Sequence, residues 1–250
     1  MGVVNSPLAQ VLAQKGTQPR TRASGVLVHT TGGGITAKAA AAGHTSDADV
    51  DAYVARHYAG AAEYPHYVIG RTGIIFALAD ELTWAAHASW HDWERQTYQS
   101  RAWQTTWAKD FLDARELVPM RFYADWIMRW GDRYTSPAGI LAQVGGGSSP
   151  NGCYIGVELV DAKPFTEAQL GALAALFVDI CRRHQLLDPA AIAPGSLPQP
   201  WLCGHSDVSP CRRWQRTGDG GFGWDPAPSN LDWRDLEAAI AAAATAPSAA

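Results

Sequence analysis

Three residues far apart in the chain are of types that bind metals. His29 closes an apolar run, Gly25-Val26-Leu27-Val28-His29-Thr30-Thr31, which reads as a buried strand delivering an imidazole at its end. His205 lies in Leu202-Cys203-Gly204-His205-Ser206-Asp207-Val208-Ser209-Pro210, and Asp225 lies in Trp224-Asp225-Pro226-Ala227-Pro228. Two imidazoles and a carboxylate are a suitable ligand set for one zinc ion, Zn2+, with a fourth position left for water. Taken singly, each residue has a plainer reading. A histidine is also a hydrogen-bonded core residue, and Asp before Pro commonly starts a turn.

The elements that must position these residues follow from local pattern. After the strand ending at His29 comes a loop, Thr31 to Ile35, with three consecutive glycines. Asp47 to Tyr58 is expected to be helical, capped by Asp47 or Asp49, with Val50, Tyr53, Val54 and His57 on one face. His66 to Leu78 reads as a hairpin turning near Thr72-Gly73. Cys153 to Val160 is a strand interrupted by Gly156, and Trp201 to Gly204 is a short final strand. Thr166 caps a helix to His184 whose buried face is Leu170, Leu173, Leu176, Phe177 and Ile180. A closing helix runs from Asn230 to Ala244. Strands mixed with helices in this way imply an α/β fold, a central mixed β-sheet flanked by helices on both faces.

The segment Ala88 to Pro150 differs, holding six of the chain's eleven tryptophans. Trp103, Trp107 and Phe111 recur at helical spacing, as do Phe122, Trp126 and Trp130, with Pro119 between the runs. That pattern predicts a Trp-rich helical insertion, either packing a core or forming an aromatic wall beside a sugar-binding site. The organisation expected is a polar arm over 1–24, one domain over 25–240 containing the 88–150 insertion, and a tail over 241–250.

With 250 residues, 47% of them hydrophobic, the chain can bury a full core. A formal charge of -4, scattered along the sequence, argues against nucleic acid or an anionic membrane as the main partner. No stretch is long and apolar enough to span a bilayer, so no membrane insertion is expected. The first 24 residues lack the apolar segment of a secretory signal, which implies a cytoplasmic protein or one exported by another route. Cys203 and Cys211 flank the His205 loop and would staple it in an oxidising compartment; the alternative is inert thiols.

The order of six pieces carries a family resemblance. These are the His29 strand, His66-Tyr67-Val68-Ile69-Gly70-Arg71-Thr72-Gly73, Trp84-Ala85-Ala86-His87-Ala88, Tyr154-Ile155-Gly156-Val157-Glu158-Leu159, Gly204-His205-Ser206-Asp207 and Asp225-Pro226-Ala227-Pro228. Together they resemble the type 2 N-acetylmuramoyl-L-alanine amidases, the zinc amidase family that includes AmpD-like enzymes, phage endolysins and peptidoglycan recognition proteins. The resemblance covers Val26 to Ala88 and Asn151 to Trp233. It implies a zinc site of His29, His205 and Asp225, with Cys211 the rival third ligand because one branch of the family uses a cysteine after the second histidine. The reaction implied is cleavage of the amide between the muramyl lactyl group and L-alanine in peptidoglycan or its muropeptide fragments. It also implies Glu158 as the acid/base residue of the AmpD-like branch, because the tyrosine position of other branches is Pro65 here. The family's oxyanion-stabilising lysine maps to Arg213, or to Arg212, a departure that keeps the charge but changes its shape. His66 and His87 are implied to lie near the substrate.

The main alternative is a non-catalytic module that binds peptidoglycan or muropeptides without cutting them. Delivery as a phage endolysin or as an antibacterial effector is compatible with the sequence. An effector would imply an immunity protein as a partner.

Overall fold

The computed structural model describes residues 4–88, 149–192, 200–208, 225–226 and 229–246. A hairpin near its middle shows how the sheet acquires two buried faces. β3 (Tyr67–Ile69) and β4 (Ile75–Ala79) pair antiparallel around a turn in which Gly73 adopts φ +82, a conformation that strains any other residue. Side chains alternate along the pleat. Tyr67, Ile69, Ile75 and Ala77 join one apolar cluster, whereas Val68, Phe76 and Leu78 join another.

The hairpin lies within a six-stranded sheet of order β1-β4-β3-β5-β2-β6. β1 is Gln10–Lys15, β2 Gly25–Thr30, β5 Tyr154–Leu159 and β6 Leu202–Gly204. Only β3 and β4 are antiparallel; the other neighbours run parallel, so the sheet is mixed. Parallel neighbours require crossovers, and the helices that supply them cover both faces. α1 (Gly33–Ala41) and α2 (Asp47–Gly60) pack Ala39, Val50, Val54 and Ala55 against one face. After the single turn α3 (Pro150–Cys153), α4 (Glu167–His184) buries Leu173, Leu176, Phe177 and Ile180 against the other. There it is joined by α6 (Trp233–Thr245), while α5 (His205–Val208) is one turn directly after β6. Each fully buried Leu or Phe contributes about 1.5–3 kcal/mol. Thr166 starts α4 with a reciprocal capping box to Gln169, as the sequence predicts.

Several boundaries differ from the sequence reading, each for a local reason. The polar arm contains β1, a strand at the sheet's edge whose side chains are mostly exposed. The glycine loop after β2 is already helical from Gly33, following Gly32 at φ +66. Ser46, not Asp47 or Asp49, caps α2 by accepting the Asp49 N–H at 3.2 Å. His57 is exposed, and the buried face of α2 is Val50, Asp51, Val54 and Ala55. Gly156 does not interrupt β5, where it pairs with Leu27. α6 begins three residues later than expected because Asp232 caps it, its Oδ1 accepting the Arg234 N–H at 2.9 Å. The aromatic helical hairpin expected within 88–150 lies outside the described residues.

Candidate metal and catalytic site

Three adjacent parallel strands, β5, β2 and β6, end on one rim of the sheet, the usual position for a site in a parallel sheet. His29 is the penultimate residue of β2 and pairs in register with Glu158 of β5, so both side chains leave the same face. Glu158 thus lies in an interior strand and is 9% exposed, not on an edge facing solvent. His205 follows β6 directly, and the Gly204 N–H donates to Asp207 Oδ2 at 2.7 Å, fixing the exit from the strand. Gly204 also admits the third segment, since a Cβ there would stand 2.7 Å from the Asp225 carbonyl oxygen.

Asp225 brings the set together. Its Oδ1 accepts the Thr30 N–H at 2.6 Å, while Oδ2 lies 3.4 Å from His29 Nδ1 and 3.3 Å from His205 Nδ1. The candidate ligand atoms of the three residues all lie within 4.8 Å of one another, and all three residues are buried. The donor set suits zinc: two imidazole nitrogens and one carboxylate oxygen converge in one buried group. The structure thus brings together the three side chains that the sequence places far apart, His29, His205 and Asp225.

Behind His29 stands His87. His29 Nε2 is 3.0 Å from His87 Nδ1, and His87 Nε2 is 3.3 Å from the Tyr154 carbonyl oxygen. The ring occupies the space left by Gly156, where any Cβ would collide with it. Burial, followed by the charges of His29, His66 and His205, holds the His87 pKa well below its ordinary value. His87 also lines the cleft above the site.

His66 has a different task from the substrate contact the resemblance implies. It is 0% exposed and is absent from the cleft lining. The Gly156 N–H donates to its Nδ1 at 2.9 Å, and its Nε2 faces the Thr83 carbonyl at 3.0 Å. Burial, and after it the Arg20 charge, pushes its pKa down to about 3, so it is a neutral brace between β5 and the segment after β4.

The cleft, about 280 Å³, is lined by the three candidate ligands, Glu158, His87 and residues of α2 and the loop after it. Tyr58 is the residue that sequence reasoning missed. Its phenol hydrogen-bonds Glu158, and burial together with the negative charges of Glu158 and Asp225 raises its pKa well above the usual range. It therefore remains a protonated donor. The signal was available: Val50, Val54 and Tyr58 recur at i, i+4, which places Tyr58 on the inward face.

Arg213, Arg212 and Cys211 lie outside the described residues. Cys203 is a buried thiol in the core under β6.

The sequence matches the family model described as N-acetylmuramoyl-L-alanine amidase over residues 19–222. No curated protein matches the chain. Among solved structures, a selenomethionine AmpD derivative is 16% identical, with 96% of this chain and 99% of that chain covered at a TM-score of 0.48. The Staphylococcus aureus hydrolase AmiA, solved in complex with its ligand, is 12% identical, with 96% and 85% covered at a TM-score of 0.45.

Proposed function

This chain belongs to the N-acetylmuramoyl-L-alanine amidase family, and from that premise we propose a zinc-dependent mechanism in which Glu158 moves the proton. His29 Nδ1, His205 Nδ1 and a carboxylate oxygen of Asp225 would hold the ion. Zinc supplies Lewis acidity, making water acidic near neutral pH and polarising a carbonyl oxygen. The rest belongs to the protein. Thr30 fixes Asp225 through its backbone N–H, leaving Oδ2 turned toward both imidazoles. Glu158, paired in register with His29, takes a proton from the attacking water and returns it to the departing amine of L-alanine. Its burial and the Tyr58 phenol set the carboxylate's orientation and environment.

The reading is carried by one observation: a complete two-histidine, one-aspartate set lies on the same rim as a buried glutamate, lining one cleft. The substrate follows from the family, the muramyl–L-alanine amide of peptidoglycan or of its muropeptide fragments. Purified sacculi digested with the enzyme and read by mass spectrometry test it. Stem peptides released with a free amino-terminal L-alanine support the reading. Cleaved glycan strands contradict it, and binding to sacculi without any release selects the non-catalytic alternative.

A further inference from the structure

The contacts around His87 fix where the proton sits on His29. We infer that His87 is a positioning residue that locks His29 in its Nε2–H tautomer, so that the Nδ1 lone pair is presented to the metal. The inference rests on the zinc reading above, and follows from donors and acceptors counted inward from the sheet.

The Tyr154 carbonyl oxygen only accepts. His87 Nε2, 3.3 Å away, must therefore carry the proton in that contact. A neutral imidazole protonated at Nε2 has a lone pair at Nδ1, and the group facing His87 Nδ1, at 3.0 Å, is His29 Nε2. His29 thus donates from Nε2, which leaves its own Nδ1 as a lone pair. That atom faces Asp225 Oδ2 at 3.4 Å and belongs to the cluster formed with His205. A lone pair turned toward a carboxylate oxygen is repulsive by itself and favourable once a cation lies between them.

Without His87, His29 has a competing choice. Protonated at Nδ1, it would donate to Asp225 Oδ2, a comfortable arrangement that closes the metal site. His87 removes that choice by requiring the proton on the opposite nitrogen. Hydrogen bonding of a ligand histidine's second nitrogen is a general means of setting its orientation and basicity. Here the partner is another histidine, anchored in turn on a backbone carbonyl of β5.

The anchor is built in. The Tyr154 carbonyl also accepts from Arg20 Nη1 at 3.0 Å, and Arg20 Nε donates to the Glu81 carbonyl at 2.7 Å. The backbone N–H of His87 donates to Asn151 Oδ1 at 3.1 Å. Gly156, two residues after Tyr154 on the same strand, provides its room. Segments before β2, after β4 and before β5 thus converge on holding one ring.

Two measurements test this. Long-range proton–nitrogen NMR of the zinc-free wild type, labelled at histidine nitrogen, reads the His29 tautomer directly. A protonated Nε2 and bare Nδ1 are expected; a protonated Nδ1 overturns the inference. Zinc affinity, by competition with a chromophoric chelator, is then compared among variants. His87→Phe keeps a ring but cannot accept, and is expected to lose 10–100-fold in affinity. His87→Gln, whose amide oxygen accepts while its NH2 donates, is expected to recover most of that loss. Phe and Gln variants that both bind zinc like the wild type overturn the inference. So does a Gln variant as weak as Phe when both zinc-free proteins melt at the wild-type temperature. Failure of the zinc reading looks different: wild type that binds no stoichiometric zinc, yet keeps the Nε2–H tautomer, sinks the metal assignment and leaves the tautomer lock standing.

Discussion

Glu81 and Asp225 are both buried acids, 0% and 3% exposed, yet the fold treats them in opposite ways. Glu81 is closed on every side. Arg183 donates to it through Nη1 at 2.5 Å and Nη2 at 2.7 Å, His184 Nε2 lies at 2.6 Å, and the Tyr67 hydroxyl completes the set. Burial alone would raise its pKa, but these donors overcome it and hold the carboxyl near about 2. Asp225 has one oxygen on the Thr30 amide, and the other lies 3.4 Å from His29 Nδ1 and 3.3 Å from His205 Nδ1. One carboxylate joins α4 to the sheet. The other lies among the candidate metal ligands and lines the same cleft as Glu158. Burial of an acid is thus no guide to its role; the charge and chemistry of the groups facing it are.

That contrast can be broken by substitutions at either end. The largest effect is expected at the metal set: His205→Ala should bind no stoichiometric zinc and fall to background in amide hydrolysis, measured by metal analysis and peptide release. Glu158→Gln should keep zinc and fold but lose about 10²–10⁴ in kcat, the usual contribution of a general acid/base. Zinc-replete Glu158→Gln with wild-type turnover would remove Glu158 from that role. At the structural acid the pattern should invert. Glu81→Gln strips the neutralising charge from a buried pair and should cost about 3 kcal/mol in chemical denaturation. The folded fraction should turn over at the wild-type rate.

Acid should separate the two regions as well. His66 in the folded protein titrates at about 3, well below its ordinary 6.5, so the unfolded chain takes up its proton first. Stability therefore falls as pH drops from 6.5 toward 3. Glu81 is depressed from 4.5 to about 2, so its contribution is present above 4.5 and lost as pH falls toward 2. Thermal melts of the zinc-free protein across pH should show both declines, and Glu81→Gln should flatten the lower one. The smallest effect is expected for Tyr58→Phe. Losing one hydrogen bond to Glu158 is worth about 1 kcal/mol, or less than tenfold in kcat, with a displaced pH–rate profile.

Much of this was legible in the sequence where a residue's surroundings are local. His29 at the end of an apolar run, the Thr166–Gln169 cap and the Thr72–Gly73 turn each declare themselves within a few positions. Asp225 and His205 became a pair only through the order of motifs, because the strand crossovers that unite them leave no local trace. The misses have physical causes. β1 is an exposed edge strand without the apolar alternation that marks a buried one. α1 starts on glycines, and packing of Ala39 outweighs their poor propensity. On α2, reading His57 rather than Tyr58 as the inward residue is an error of one position, about 100° around the helix. His66 and His87 could not be told apart without knowing that one packs beneath β5 and the other reaches past Gly156 to His29.

On the proposed mechanism, His29, His205 and Asp225 surround one zinc ion beside Glu158. Crystals of the wild type grown with zinc, with data collected across the zinc absorption edge, test it most directly. A single anomalous peak is expected about 2.0–2.2 Å from His29 Nδ1, His205 Nδ1 and an Asp225 carboxylate oxygen. A peak ligated by other side chains, or no peak in protein that hydrolyses the amide, would contradict it.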